Sequence, residues 1–299
     1  MAIPDSQFET WSHQGATVSS TATYRSIQAA LSASSSLIRD KDFEVYLQGS
    51  YKNDTNIRGD SDVDVVIQLN SQFFRDISSL PVGQQQLYLA SFEGATYSWT
   101  DFRRDVLATL RAYYGSAAVS EGLRSLKVAS GGGRLQADII PAWHFRHYNY
   151  FFSFDNQGYL DGIRFFSWPD SRPIVNYPKL HYANGVKKNS ALHTNGWFKP
   201  TVRIFKNART RLIDAGALAH DIAPSYFVEC LIYNVPDNCF ARSYRECFVN
   251  SFNWLWEASP NVFSCENGLM PLFGVAPEQW NDRKAGQLLH ALRGLWDNW

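Results

Sequence analysis

The chain has 299 residues, 45% of them hydrophobic and 15% aromatic, and its 28 basic and 28 acidic side chains cancel. This composition excludes a charged, disordered polymer and supports one large domain or two intimate lobes. Zero net charge argues against a protein that grips long nucleic acid by neutralising phosphates, but it leaves small nucleotides open, because they need only a local basic pocket.

Four cysteines, Cys230, Cys239, Cys247 and Cys265, lack the paired C-x-x-C of a zinc site and read as reduced thiols. The N-terminal MAIPDSQFETWSHQ has no basic region followed by an apolar one, and nowhere do eighteen apolar residues run together. A cytoplasmic protein without a membrane partner is expected.

In chain order, Tyr24, Ile27 and Leu31 recur at helical spacing and predict a helix over 21–38. A strand over 44–48 then ends at Gly49-Ser50, where the absent Cβ lets backbone amides and the serine hydroxyl approach a phosphate. The stretch YKNDTNIRGDSDVD follows and enters a second strand through Asp62, Val63 and Asp64. Alternate side chains of a strand share a face, so the two carboxylates project together. At a separation near 4 Å they would repel by roughly 4 kcal/mol at an effective dielectric near 20, a cost that a divalent cation reverses. Taken alone, D-x-D also describes an exposed edge or a calcium site, and Gly-Ser a plain turn.

Residues 70–81 read as a polar connection holding Phe73-Phe74, and a helix is predicted from Thr100 and Asp101 to Gly115, with Phe102, Val106, Leu110 and Tyr113 along one stripe. Strands over 123–128 and 135–140 are joined by Ser130-Gly131-Gly132-Gly133. The second carries Asp138 among Ala137, Ile139 and Ile140, where an unpaired carboxylate is costly; a cation shared with Asp62 and Asp64 relieves it, as would a cap on the turn before Pro141. The aromatic, irregular stretch 143–182 is read mainly as packing. Within it, Pro173 and Pro178 bracket Asn176, whose amide offers a donor and an acceptor that match uracil and, when flipped, adenine; turn capping is the other reading.

A helix begins near Pro200 and ends near Gly216, with Lys199, Arg203 and Lys206 on one face, either a phosphate stripe or a solvated one. Another begins at Pro224-Ser225-Tyr226, where free amides and a hydroxyl suit an anion, a simple cap being the other reading. Helices over 244–256 and from Pro277 to the C-terminus complete the chain, the last with a stripe of Ala285, Leu288, Leu289, Leu292 and Trp296.

Gly49-Ser50, separated by eleven residues from Asp62-x-Asp64, resembles the nucleotidyltransferase superfamily of DNA polymerase β type. More closely, QGSYKNDTNIRGDSDVDVVIQL is similar to the bacterial cGAS/DncV-like nucleotidyltransferases (CD-NTases), clade E, the CdnE group. The resemblance extends to WSHQGAT at 11–17, NYPKLHY at 176–182, FKNART at 205–210, PSYFVECLIYNVPD at 224–237 and PEQW at 277–280, and so covers essentially the whole chain.

It implies an α+β fold: a polymerase-β-like core of mixed sheet and helices over 1–180, a helical lobe over 181–299, and an active site in the cleft between them. Asp62, Asp64 and Asp138 are then the catalytic carboxylates and the ligands of two Mg²⁺ ions, with Mn²⁺ able to substitute. Gly49, Ser50, Lys206 and Ser225 bind triphosphate, Gln48 and Arg203 being further candidates. Asn176 and Tyr226 serve the nucleobase. The implied reaction joins UTP and ATP, or two UTP, into cyclic UMP-AMP or cyclic di-UMP, a second messenger of anti-phage (CBASS) defence read by a downstream effector. Transfer of one nucleotide to a separate acceptor (RNA end, protein or small molecule) and a non-catalytic nucleotide-sensing relative are the alternatives.

Overall fold

The computed structural model describes residues 3–15, 17–59, 62–92, 94–276 and 278–299. By backbone contacts the chain divides into a sheet unit, Val18–Gln48 with Ser61–Lys179, and a helical unit, Met1–Thr17 and Gly49–Asp60 with Leu180–Trp299. The one-step division expected near 180 thus marks where the main helical segment begins, but two short N-terminal segments also group with the helices.

The sheet unit is built on β1 (Phe43–Leu47), β2 (Asp62–Asp76), β3 (Val119–Glu121), β4 (Leu126–Val128), β5 (Gln136–Ser153), β6 (Asn156–Phe166) and β7 (Pro173–Asn176). The order β1-β2-β5-β4-β3 is extended by β6, which pairs with the later half of β5, and by β7 on β6. β2 and β5 run parallel, whereas their other neighbours are antiparallel, so the sheet is mixed.

Two expectations are corrected here. Residues 70–76 are not a connection: β2 continues to Asp76 across an irregularity between Leu69 and Phe73, which resets the alternation and hides the strand from a period-two reading. Nor is 143–182 irregular, since β5, β6 and β7 occupy most of it. Aromatics on both faces remove the alternation, and glycines on the partner strand make room for them. A Cβ on Gly158 would lie 2.4 Å from the Tyr150 ring, and one on Gly162 would lie 2.9 Å from that of Tyr177.

Helices α2 (Val18–Ser32), α4 (Val82–Ser91) and α5 (Trp99–Tyr114) belong to the sheet unit. The helix ending at Gly115 forms as expected, although Ser98, three residues before Asp101, supplies the capping box.

The helical unit holds α1 (Asp5–Ser12), α3 (Gly49–Asn53), most of α6 (Pro178–Asn189), α7 (Phe198–Asp214), α8 (Ser225–Tyr233), α9 (Tyr244–Glu257) and α10 (Asp282–Asp297). Its core joins Phe8, Phe198, Val202, Phe205, Leu231, Phe248, Leu288 and Leu292. Each such side chain contributes roughly 1.5–3 kcal/mol on burial. Pro277, the expected start of the last helix, lies outside the described residues; α10 opens with the Asn281 side chain accepting from the Lys284 amide. Among the described residues no helix is long and apolar enough to cross a membrane.

Candidate active site

In β2 the alternation buries Val63 and Val65 and sends Asp62 and Asp64 to the other face. In the parallel pairing of β2 with β5, Asp62 stands opposite Gln136, and Asp64 opposite Asp138. The structure therefore brings all three expected carboxylates onto one face of adjacent strands. The Gln136 amide donates to Asp62 Oδ1 at 3.0 Å. On the far side of Asp138, its β4 register partner Lys127 approaches Oδ1 at 3.5 Å. That oxygen is buried, and within the described residues no hydrogen bond reaches it. An all-oxygen donor set containing one such oxygen suits a hard divalent cation.

The same face carries Asn176. Even-numbered residues of β5 from Asp138 to His144 share it, His144 pairs with Ile163 of β6, and Ile163 pairs with Asn176 of β7. β1 is closed onto β2 by the Gln48 amide, which donates to the Asp64 carbonyl at 3.0 Å. Gly49 then adopts φ +65°, a conformation open to glycine, and starts α3.

Within the helical unit, the basic stripe of α7 is engaged by protein groups. Lys199 Nζ binds Asp54 Oδ2 at 2.8 Å, and Arg203 donates to the carbonyls of Ser12 and Asp54. Lys206 is 0% exposed. Its ammonium donates to the Thr55 carbonyl at 3.2 Å, to Thr55 Oγ1 at 3.1 Å and to Glu229 Oε2 at 3.0 Å, which engages all three hydrogens. Lys206, expected from the sequence to bind triphosphate, is here the buried counter-ion of Glu229.

Glu229, also buried, accepts from Thr55 Oγ1 at 2.7 Å, from Asn53 Nδ2 at 2.9 Å and from His181 Nε2 at 3.3 Å. Burial opposes its ionisation, but the charge of Lys206 and the bonds from His181 and Thr55 outweigh burial and hold the carboxyl well below the usual range. Glu266 Oε2 lies 3.4 Å from His181 Nε2. Burial, then the charge of Glu229, pushes the Glu266 carboxyl up. His181, Glu229 and Glu266 place one ligand atom each within 4.8 Å of one another, a spacing that could hold a metal ion.

Ser225 opens α8, and its hydroxyl accepts from Arg209 Nη1 at 2.9 Å. Tyr226 remains 43% exposed and stacks on the His181 ring, centroids 5.5 Å apart and planes at 27°. The sequence reading missed Lys127, Asn53, Thr55, His181, Glu229 and Glu266. One signal was available: a glutamate in the apolar helix SYFVECLIY must find a cation or donors.

Residues 183–297 match the cGAS/DncV-like nucleotidyltransferase C-terminal helical domain, and residues 32–122 a nucleotidyltransferase domain. A cyclic UMP-AMP synthase of Rhodothermus marinus is 46% identical over 299 residues, 100% of this chain and 99% of its own. A cyclic dipyrimidine nucleotide synthase of Legionella pneumophila is 34% identical over 94% of each chain. The solved structure of the Rhodothermus marinus CdnE c-UMP-AMP synthase with Apcpp and Upnpp is similar at a TM-score of 0.89 and 47% identity, covering 99% of this chain and 97% of that one.

Proposed function

Because the chain belongs to the cGAS/DncV-like nucleotidyltransferases, in the CdnE-like group, we propose that it joins two nucleoside triphosphates into a cyclic dinucleotide containing uridine. The observation that carries this reading is the single sheet face that bears Asp62, Asp64 and Asp138 and also Asn176. Support comes from relatives that match 94% or more of the chain, whose names describe cyclic UMP-AMP and cyclic dipyrimidine synthesis.

Asp62, Asp64 and Asp138 are the groups that would hold two Mg²⁺ ions, or Mn²⁺ in their place. When bound, these ions supply Lewis-acid stabilisation of the oxygens entering and leaving phosphorus. In each of two successive transfers a ribose hydroxyl oxygen forms a bond to the α-phosphorus of a triphosphate, the bond to the bridging oxygen breaks, pyrophosphate leaves, and the hydroxyl proton passes to a base. Asp138, whose Oδ1 takes no hydrogen bond among the described residues, would receive it. Gly49, Ser50 and Ser225 take phosphate oxygens, and the exposed ring of Tyr226 stacks a base. Asn176 reads O4 and N3–H of uracil. UTP with ATP, or UTP alone, are the substrates; the product acts in the cytoplasm as a second messenger of anti-phage defence through a separate effector.

The test is incubation of the purified protein with every NTP pair and Mg²⁺, followed by mass analysis of products. A uridine-containing cyclic dinucleotide is expected without any further acceptor. Nucleotide transfer only when RNA, protein or a small molecule is added would replace the reading, and absence of pyrophosphate release from every mixture would make the protein a non-catalytic sensor.

A further inference from the structure

Beyond the carboxylates, the sheet face that bears Asn176 is crossed by a bridge of charges. Glu44 of β1 pairs with Gln68 of β2, and Gln68 with Ala142 of β5. Two residues further along β5, His144 leads through Ile163 to Asn176; two beyond that, Arg146 pairs with Asp161 of β6. The row of Asn176 therefore lies between the rows of Glu44 and Asp161, all on the face of Asp62, Asp64 and Asp138. Lys179, three residues after Asn176, spans that row. Its ammonium donates to Glu44 Oε1 and lies 3.7 Å from Asp161 Oδ2. In a flat sheet β1 and β6, with β2 and β5 between them, would stand about 14 Å apart. One ammonium meets both because the side chains lean in over the middle strands, where Ala142 is small.

The bridge is supported at both ends. The Tyr46 hydroxyl donates to Gln68 Oε1 at 2.8 Å, which holds its ring centroid 5.2 Å from the ammonium, and His144 Nε2 stands 2.9 Å from Asp161 Oδ1. Burial opposes the ionisation of Asp161, but His144 and the charge of Lys179 outweigh it and hold the carboxyl below the usual range. In the row of Glu44 the face is already covered, with Gln68 2% and Ala142 0% exposed.

We propose that the Glu44–Lys179–Asp161 bridge is the end wall of the nucleobase site and selects uracil over purines by depth, beside the amide of Asn176. This rests on the reading of Asn176 as the residue that faces uracil. A purine holds its pairing edge one fused ring further from the ribose than uracil does. With the phosphates held at the carboxylates, that edge meets the ammonium, and a purine enters only by displacing Lys179 from its two partners. Discrimination then comes from an obstacle to the wrong base as well as from bonds to the right one.

The test follows product formation from ATP alone, and from equal ATP and UTP, with Mg²⁺ and mass analysis. Lys179→Ala removes the wall. It is expected to raise kcat/KM with ATP alone at least about fivefold, the scale of one partly exposed ion-pair network, and to put adenosine where the wild type puts uridine. Glu44→Ala, which frees the ammonium from β1, moves the ratio the same way, and Glu44→Gln, which keeps an acceptor, moves it less. A gain with ATP is a readout that damage to the fold does not produce, and should Lys179→Ala fail to fold, Glu44→Ala decides.

An ATP-only rate within about twofold of wild type in the alanine variants overturns the wall. So does a loss with UTP and no gain with ATP, which would make Lys179 a partner of uracil and not an obstacle to purines. A wild type whose products contain no uridine removes the reading of Asn176 and the wall with it; uridine in the wild-type product, with no gain in the variants, removes the wall alone.

Discussion

Asp64 of β2 and Asp138 of β5 are direct partners in the parallel pairing of the sheet, and Lys127 of β4 faces Asp138 from the opposite side. Asp138 therefore lies between a like charge and a cation on the protein itself, 3.5 Å from the latter. A dication arriving at the carboxylates gains from both aspartates and is opposed by Lys127.

Neutralising one carboxylate should separate activity from stability. Asp62→Asn and Asp64→Asn are expected to lower turnover by at least about a hundredfold, the scale on which the loss of one electrostatic stabiliser is read. Their melting temperatures should equal or exceed that of the wild type, because repulsion between neighbouring carboxylates is relieved. Product formation near wild-type rate by either variant would remove the metal assignment.

Lys127→Met should ease cation binding. The pair is partly exposed, with 42% of the lysine side chain open to solvent, so its contribution is that of a surface ion pair, up to about 1 kcal/mol. The Mg²⁺ concentration for half-maximal activity is expected to fall about threefold in a metal titration. A rise would mean that Lys127 acts on the nucleotide and not on Asp138.

For Ser225→Ala, a hydroxyl bond to a charged phosphate contributes about 1.5–3 kcal/mol, so KM for the donor triphosphate should rise about tenfold or more. Steady-state kinetics at limiting UTP checks this, and an unchanged KM would leave Ser225 as a partner of Arg209 alone.

Asn176→Ser should shift base choice. Two hydrogen bonds at roughly 1 kcal/mol each correspond to about thirtyfold in use of UTP relative to ATP. Competition between the two triphosphates, with product ratios from mass analysis, reads the shift; a constant ratio would show that Asn176 only ends β7.

Glu266 makes stability depend on pH with a definite sign. Burial, then the Glu229 charge, raises its carboxyl above the ordinary glutamate value of 4.5, so in the fold it keeps a proton that the unfolded chain has lost. Its contribution is complete below pH 4.5 and is lost as pH rises from there towards the folded pKa. Glu229 has the opposite sign: with its carboxyl held low, its contribution is present above 4.5 and is lost as pH falls. Glu266→Gln keeps the neutral form at every pH, with Glu229, His181 and Lys206 unchanged around it. Its melting temperature should match the wild type near pH 4 and exceed it at pH 8. A constant difference between the two across that range would refute the assignment.

The carboxylate face was legible because it is local: Asp62 and Asp64 need only the period of one strand, and Gly49 needs only its backbone freedom. The helix to Gly115 and the α7, α8 and α9 helices were legible for the same reason, since their apolar periods and the Pro and Gly residues near their ends lie within single segments. Tertiary structure alone decided which strand lies beside β2. The parallel pairing that sets Asp138 against Asp64, and the chain of pairings that brings Asn176 to the same face, depend on register between distant segments, which no local period encodes. The protein partners of Lys206 were likewise beyond the sequence. A basic stripe reads the same whatever lies beside it; only the fold brings buried Glu229, with Thr55 between them, to the Lys206 ammonium.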